Sequence, residues 1–160
     1  MILTKQMIKE EVWFDPPLDV FQARPHAVDL RLACDVNLMP GVFTLCGSLE
    51  KVRLPNNVMG VVYPRSSLNR RGMALDMTGV VDAGYEGFLV LPITNCNDMP
   101  VPLRKGERVA SIVFHRLEEP VEPELSKYHK GGASYVPDGA DESAMIASGD
   151  IDGLKARYRA

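Results

Sequence analysis

PRSSLNRRGMALDMTGVVDAGYEGFLVLPITN, residues 64–95, joins an arginine-rich turn to two short apolar runs that flank a second turn. Short runs rich in Val, Ile and Leu and bounded by Gly, Pro, Asn or Asp are typical of β-strands. The same pattern extends outward over residues 27–117, with breakers at the spacing of about 8–12 residues that all-β sandwiches, jelly rolls and barrels show. The sequence therefore predicts a mainly all-β fold.

The domain organisation follows from length and from shifts in composition. A chain of 160 residues is near the usual size of one domain, so we expect a single domain over 1–160. Residues 1–20 form a lead-in with a short helix capped by Thr4. Residues 21–118 form the β core, and 119–160 form an acidic, then Gly- and Ser-rich tail with a weak helical pattern over 150–158.

Charge and hydropathy exclude some classes of partner. The net charge of −3 and a pI near 5.6 argue against nucleic acid, whose binders carry a surplus of Lys and Arg. No apolar run approaches the ~20 residues of a membrane helix, and charged residues fill the N-terminus where a signal peptide would be apolar. We expect a soluble, cytoplasmic protein with no membrane partner.

The three cysteines, Cys34, Cys46 and Cys96, lie far apart and lack CxxC spacing. An odd number of widely spaced cysteines fits reduced thiols better than a disulfide framework or a zinc site. Free cysteine commonly behaves as a small buried apolar residue. We therefore expect all three to be buried.

The first candidate site is the turn PRSSLNRRG. It offers three guanidinium groups, two hydroxyls and turn amides, which together suit phosphate oxygens. Its candidate ligand-binding residues are Arg65, Ser66, Ser67 and Arg70. A solvated loop with surface arginines is the alternative that composition leaves open.

The second candidate site is GVVDAGYEG, in which Asp82 emerges from an apolar run into a turn and Tyr85 follows. A carboxylate in this position can orient or deprotonate a water molecule, and a tyrosine ring can cover the flat face of a sugar. The alternative is a purely local Asx-turn between two hairpin strands.

Taken together, ordered motifs resemble those of the superfamily that joins trimeric dUTP diphosphatases to dCTP deaminases. The resemblance extends from the first helix to about Ser134 and rests on HAVDLRL, PGVFTLCGSLEKVRLP, PRSSLNRRG, GVVDAGYEG, the strand-ending Asn95 and KGERVASIVF. It implies a distorted jelly roll, a deoxynucleoside triphosphate substrate and Mg²⁺ bound with the triphosphate. It also implies a homotrimer with active sites at subunit interfaces.

The resemblance also implies individual roles. Arg65 and Ser66 would hold phosphates, with Arg108 supporting the acid or the phosphate site. The family commonly has Gln at the position of Ser111, which leaves that phosphate-side contact open. Asp29 would organise the hydrated magnesium through water.

At the Asp82 turn, the resemblance implies that Asp82 orients the attacking water while Tyr85 stacks beneath the deoxyribose. Deaminases of this fold use a glutamate on the following strand to move protons, and Pro92 stands at that position. Glu86 lies six residues too early to replace it. The sequence therefore predicts a dUTP diphosphatase that releases dUMP and pyrophosphate, built on a deaminase-like frame.

Two alternatives stay open: a dCTP deaminase, mono- or bifunctional, and a non-catalytic deoxynucleotide-binding regulator. Asp76 bears on the first, because a carboxylate accepts hydrogen bonds and would suit the exocyclic amine of cytosine better than O4 of uracil. In the tail, Tyr128 and Lys130 are candidates for a segment that closes over the triphosphate. A surface linker explains the same tail sequence.

Overall fold

The computed structural model describes residues 1–76, 79–123, 147–149 and 152. Within residues 1–76 and 79–123, two short helices and ten strands follow in chain order: α1 Lys5–Glu11, β1 Trp13–Asp15, β2 Val28–Arg31, β3 Val36–Leu38, β4 Phe43–Arg53, β5 Val58–Pro64, α2 Ser66–Asn69, β6 Met73–Leu75, β7 Val80–Val81, β8 Glu86–Asn95, β9 Val101–Leu103 and β10 Arg108–Arg116. The predicted β-rich fold is confirmed.

Two four-stranded antiparallel sheets form the body of the molecule. Their strand orders are β1-β4-β8-β6 and β2-β10-β5-β7, and β3 pairs with β9 in a smaller sheet. Side chains from both large sheets share one apolar core, as in a β-sandwich. Within it the rings of Phe14 and Phe114 meet edge to face, with centroids 6.1 Å apart.

Register shifts interrupt two ladders. One lies between Gly47 and Lys51, where β4 pairs with β8, and the other between Arg108 and Ala110, where β10 pairs with β2. An irregularity of this kind bends the strand and re-aims the side chains beside it. The second shift begins at Arg108, one of the candidate phosphate-site residues.

The N-terminal helix is present, with Ile8 buried beneath it. Thr4 occupies the N-cap position, but its side chain makes no capping hydrogen bond. The helical pattern predicted over 150–158 lies outside the described residues, apart from position 152. No helix within the described ranges is long and apolar enough to cross a membrane.

The cysteine prediction is correct only for Cys46, which is buried in β4. Cys34 and Cys96 are exposed, because they lie in the segments that follow β2 and β8, where the chain leaves the sheets. Apolar character alone does not bury a residue at the end of a strand.

Candidate active site

A buried carboxylate organises the arginines of the site. Asp29 on β2 is 2% exposed and pairs in register with Ser111 on β10. Its Oδ2 forms an ion pair with Arg65 Nε at 3.2 Å and accepts a hydrogen bond from Arg108 Nη1 at 3.2 Å, and its Oδ1 accepts from Ser111 Oγ at 2.7 Å. Two cations surround one anion, so the cluster carries a net positive charge.

Arg65 is fixed at both ends of its guanidinium. Besides its contact with Asp29, its Nη1 donates to the backbone carbonyl of Arg108 at 2.9 Å. Desolvation lowers the pKa of Arg65, the charge of Asp29 opposes that effect, and the charges of Arg108 and Arg24 add to it. An arginine nevertheless stays charged in a protein, so the cluster offers an oriented cation.

Arg108 is held by the segment before β2. Its Nη1 donates to the carbonyl of Phe21 at 2.7 Å, and its guanidinium carbon lies 5.2 Å from the centroid of the Phe21 ring. A cation over an aromatic face gains electrostatic attraction. Together with Asp29, Phe21 therefore fixes the direction of the Arg108 fork.

A buried network of hydrogen bonds, which the sequence did not predict, lies behind this cluster. The Gln22 amide donates to the Asp29 carbonyl at 2.9 Å and to Glu50 Oε1 at 2.8 Å. Glu50 is fully buried and also accepts from Arg31 Nε at 2.6 Å. The available signal was Glu50 itself, an acid at an inward position of the alternating strand β4.

Helix α2 presents the rest of the PRSSLNRRG turn to solvent. Leu68 is buried and anchors the turn, whereas Ser66, Ser67 and Arg70 are exposed. The first backbone N–H groups of a helix have no acceptor within it. Hydroxyls, amides and a guanidinium thus stand exposed in the turn that begins at Arg65.

Asp82 lies in the turn that follows β7, and its carboxylate is exposed. No hydrogen bond or ion pair of this carboxylate occurs among the residues that the structure describes. The Tyr85 N–H closes the turn by donating to the Asp82 carbonyl at 3.1 Å. Asp82 lines a surface pocket of about 280 Å³, together with Met59, Val80, Ala83, Leu117, Val121 and Glu122.

Tyr85 is half-buried and packs against the core. Its hydroxyl donates to the Phe88 carbonyl at 2.7 Å, and burial raises its pKa. Gly84 beside it has φ +80°, and a Cβ there would lie 2.6 Å from Pro123 Cγ. The segment after β10 is therefore packed directly against the aspartate turn.

The two candidate sites lie at opposite ends of one strand. Gly60 on β5 pairs with Val81 on β7, so Asp82 lies beside Met59 at the start of β5, while Arg65 follows its last residue. Six residues of extended chain span about 20 Å. A single copy therefore does not bring Asp82 to the arginine cluster.

Asp76 and Pro92 face each other where the β6–β8 ladder ends. The register that pairs Leu75 with Ile93 pairs Asp76 with Pro92, and the Asp76 N–H donates to the Pro92 carbonyl at 3.1 Å. Thr94 Oγ1 donates to Asp76 Oδ2 at 2.5 Å. Pro92 is buried and brings no titratable group to this face.

The described residues contain no group of three His, Cys, Asp or Glu side chains placed to hold a metal ion. Both oxygens of Asp29 are engaged by Arg65, Arg108 and Ser111. A carboxylate already neutralised by two guanidiniums does not fit the predicted contact with hydrated magnesium. Of the tail candidates, Tyr128 and Lys130 lie outside the described residues.

The fold and these motifs define a protein of the superfamily that joins dUTP diphosphatases to dCTP deaminases. A dUTPase structure from Streptococcus mutans matches with a TM-score of 0.55 at 27% identity, over 62% of this chain and 84% of that one. The family model described as dCTP deaminase-like matches residues 33–117. The chain belongs to this dCTP deaminase-like family.

Two relatives give the extent of the similarity. A protein from Persephonella marina named "dCTP deaminase, dUMP-forming" is 32% identical over 165 residues, which covers 80% of this chain and 91% of the relative. One of the same name from Aquifex aeolicus is 42% identical over 101 residues, which covers 63% of this chain and 56% of the relative. The chain thus matches little more than half the length of the Aquifex protein.

Proposed function

We propose that this chain hydrolyses dUTP to dUMP and pyrophosphate. The observation that carries the proposal is Pro92, a buried residue without a titratable group at the strand position where the resemblance implies the proton-moving glutamate of the deaminases. Deamination needs a group that accepts and returns protons at the base. Hydrolysis of the phosphate chain does not need that group.

The arginine cluster supports the phosphate half of this reaction. Asp29 aims Arg65 and Arg108, and the surplus positive charge suits a triphosphate. Ser66, Ser67 and Arg70 would extend the grip along the phosphate chain. Preoriented donors of this kind stabilise charge that develops on phosphate oxygens in the transition state.

The exposed carboxylate of Asp82 would orient the attacking water. Its freedom from protein partners among the described residues leaves it available for that role. Tyr85 would support the deoxyribose through its ring, since its hydroxyl is engaged by the Phe88 carbonyl. The chemistry then depends on positioning and electrostatics, with no covalent protein intermediate.

We infer further that the site is completed between copies of the chain, in a homotrimer. The inference rests on the separation of about 20 Å between Arg65 and Asp82 along β5. The outer face of the β5 sheet also exposes apolar area, including Val80 at 64% and Tyr63 at 43%. Exposed apolar patches commonly mark interaction surfaces.

Magnesium enters this proposal with the substrate. The ion would be carried by the triphosphate, where it would neutralise phosphate charge. We assign no described residue to it, because the oxygens of Asp29 are engaged by its protein partners.

A dCTP deaminase that forms dUMP is the second candidate. The names of the relatives support it, and so does Asp76, whose carboxylate lies across the ladder from Pro92. Asp76 would accept a hydrogen bond from the exocyclic amine of cytosine. A non-catalytic nucleotide-binding regulator remains the third candidate.

One assay separates the three candidates. The purified chain with Mg²⁺ is given each deoxynucleoside triphosphate, and pyrophosphate and ammonia are measured in parallel. We expect pyrophosphate from dUTP and no ammonia from dCTP. Ammonia from dCTP would instead establish the deaminase, and tight dUTP binding without turnover would establish the regulator.

The matched variants are Asp82→Asn and Asp98→Asn. Both remove one exposed carboxylate, but Asp98 lies in the segment between β8 and β9, outside both candidate motifs. We expect Asp82→Asn to slow pyrophosphate release by about 10²- to 10⁴-fold, the usual contribution of a positioned acid or base. Equal activity of the two variants would exclude Asp82 from the chemistry.

A further inference from the structure

Two cysteines adjoin the contact at which the segment after β2 runs beside β4. Leu32 forms an isolated antiparallel bridge with Ser48. One residue further along each segment Ala33 stands against Gly47, and Cys34 and Cys46 are the residues beyond them. The two cysteines therefore adjoin one backbone contact, although the sequence separates them widely.

The hydrogen bonding next to this pair favours a covalent link. The Ala33 N–H donates to the Gly47 carbonyl at 2.9 Å, so these two residues form a hydrogen-bonded position of the antiparallel contact. Such positions alternate with non-hydrogen-bonded ones, in which facing Cα atoms are only about 4.5 Å apart. Disulfides span Cα separations of about 4.4–6.8 Å. Cys34 and Cys46 are the next residues along the two segments, so the link requires the bend at Cys34 to bring the two Cα atoms into this range.

The two thiols differ in access to solvent. Cys34 is exposed at a bend of the chain, and Cys46 is buried. Burial raises the pKa of Cys46 to about 11, and the charge of Cys34 raises it as well, so each thiol lies within the other's electrostatic reach. A soluble oxidant meets Cys34 first, while Cys46 stays protonated and protected.

We propose that Cys34 and Cys46 form a reversible disulfide on exposure to a peroxide. The peroxide oxidises the Cys34 thiol to a sulfenic acid and is itself reduced, hydrogen peroxide giving one water. The Cys46 sulfur then bonds to the Cys34 sulfur, and the sulfenic oxygen leaves as a second water with the Cys46 proton. Two electrons pass from the thiol pair to the peroxide.

The bond would fasten the segment after β2 to the middle of the β4 sheet. Asp35, next to Cys34, accepts from the Lys105 N–H at 2.8 Å and pairs with Arg104 at 3.2 Å. These two residues form the turn that leads into β10 and Arg108. Oxidation would thus restrain a segment that contacts the lead-in to the arginine cluster.

The test treats the full chain with hydrogen peroxide, blocks the remaining thiols and maps peptides without reduction. We expect one linked pair of peptides, containing Cys34 and Cys46, with a mass lower by two hydrogen atoms and full reversal by dithiothreitol. Cys96→Ser, which removes the other exposed thiol, should keep the link. Cys34→Ser should abolish it.

Two outcomes would overturn the proposal. One is Cys34 driven to sulfinic or sulfonic acid while Cys46 remains a free thiol. The other is a link from Cys34 to Cys96 or to a second copy of the chain. Circular dichroism of Cys34→Ser checks that loss of the link does not reflect loss of the fold.

Discussion

The backbone N–H of Asp76 donates to the carbonyl of Pro92 at 3.1 Å, so an acid and an imino acid face each other at the end of the β6–β8 ladder. A hydrogen-bonded antiparallel pair normally exchanges two such bonds, and proline cannot donate the second. Only one of the two backbone hydrogen bonds of such a pair can therefore form between Asp76 and Pro92. This position also bears directly on the choice between hydrolysis and deamination.

Replacing Pro92 with Glu should introduce deaminase chemistry. The new carboxylate would lie beside Asp76, and two adjacent carboxylates raise the pKa of one of them, which yields a group able to donate and accept protons. We expect Pro92→Glu to release ammonia from dCTP in a coupled ammonia assay. Pro92→Gln, of similar size but not titratable, should release none. Ammonia from the unmodified chain would contradict the premise.

Asp29→Asn should lower both the free energy of unfolding and the affinity for the triphosphate. The change leaves Arg65 and Arg108 without their counter-charge, and removing one partner of a buried ion pair is destabilising. Because the arginine side chains are 19% and 29% exposed, we expect a loss of about 2–3 kcal/mol in the free energy of unfolding, below the fully buried case. Urea denaturation measures it.

The control for this change is Asp35→Asn, which removes the exposed ion pair with Arg104 but leaves an amide oxygen to accept from the Lys105 N–H. Exposed pairs contribute little, so the urea midpoint should barely move. The KM for dUTP should rise for Asp29→Asn and stay constant for Asp35→Asn. Equal effects of the two changes would mean that Asp29 does not orient the phosphate site.

Two inactive variants should restore activity when they are assembled together. Arg65→Ala damages the phosphate half of the site and Asp82→Asn the water half, and in the proposed trimer these halves come from different copies. After the two are unfolded, mixed in equal amounts and refolded, about one quarter of the sites would hold both intact halves. We expect about that share of the wild-type rate of pyrophosphate release.

Each variant refolded alone provides the baseline for that measurement. Sedimentation should show the same assembly for the mixture and for each variant. A mixture that assembles normally yet stays at the baseline would place both halves of the site in one copy.

Alkaline pH should destabilise the protein through Cys46. Its pKa is raised from 9.0 to about 11 in the folded state, so the folded chain holds a proton that the unfolded chain releases. The stability that this proton contributes is intact below pH 9.0 and is lost as the pH rises through about 11. The slope is at most about 1.4 kcal/mol per pH unit.

Urea denaturation across this pH range tests the expectation. The raised pKa of Tyr85 adds a loss of the same sign at higher pH. Cys46→Ala should flatten the profile between pH 9.0 and about 11, whereas Cys96→Ala, at an exposed site, should leave it unchanged. Identical profiles for both variants would refute the assignment to Cys46.

Local features of the fold could be predicted from the sequence. Alternating apolar residues and turn residues, such as those around Gly72 and Gly84, determine structure over only a few positions. The strands on either side of these turns could therefore be predicted from the sequence. Both glycines do adopt positive φ, at 73° and 80°. The exposed positions of Ser66 and Asp82 follow from the same local chemistry.

Long-range relations could not be predicted in this way. Arg65 and Asp82 are close in sequence, yet the antiparallel pairing of β7 with β5 places Asp82 at the far end of that strand. The side-chain partners of Asp29 come from two separate segments of the chain, the turn after β5 and strand β10. Gln22 and Glu50, which support it from behind, share no motif that spacing would show.

The length of β5 has a consequence for how turnover depends on abundance. Under the proposed assembly a folded single copy is silent, because it holds the phosphate grip and the water-orienting acid about 20 Å apart. Dilution below the concentration at which the copies dissociate would then stop turnover without unfolding any copy. The turnover rate of each chain would then depend on the concentration of the chain. A change that weakens the contact between copies would switch the activity off.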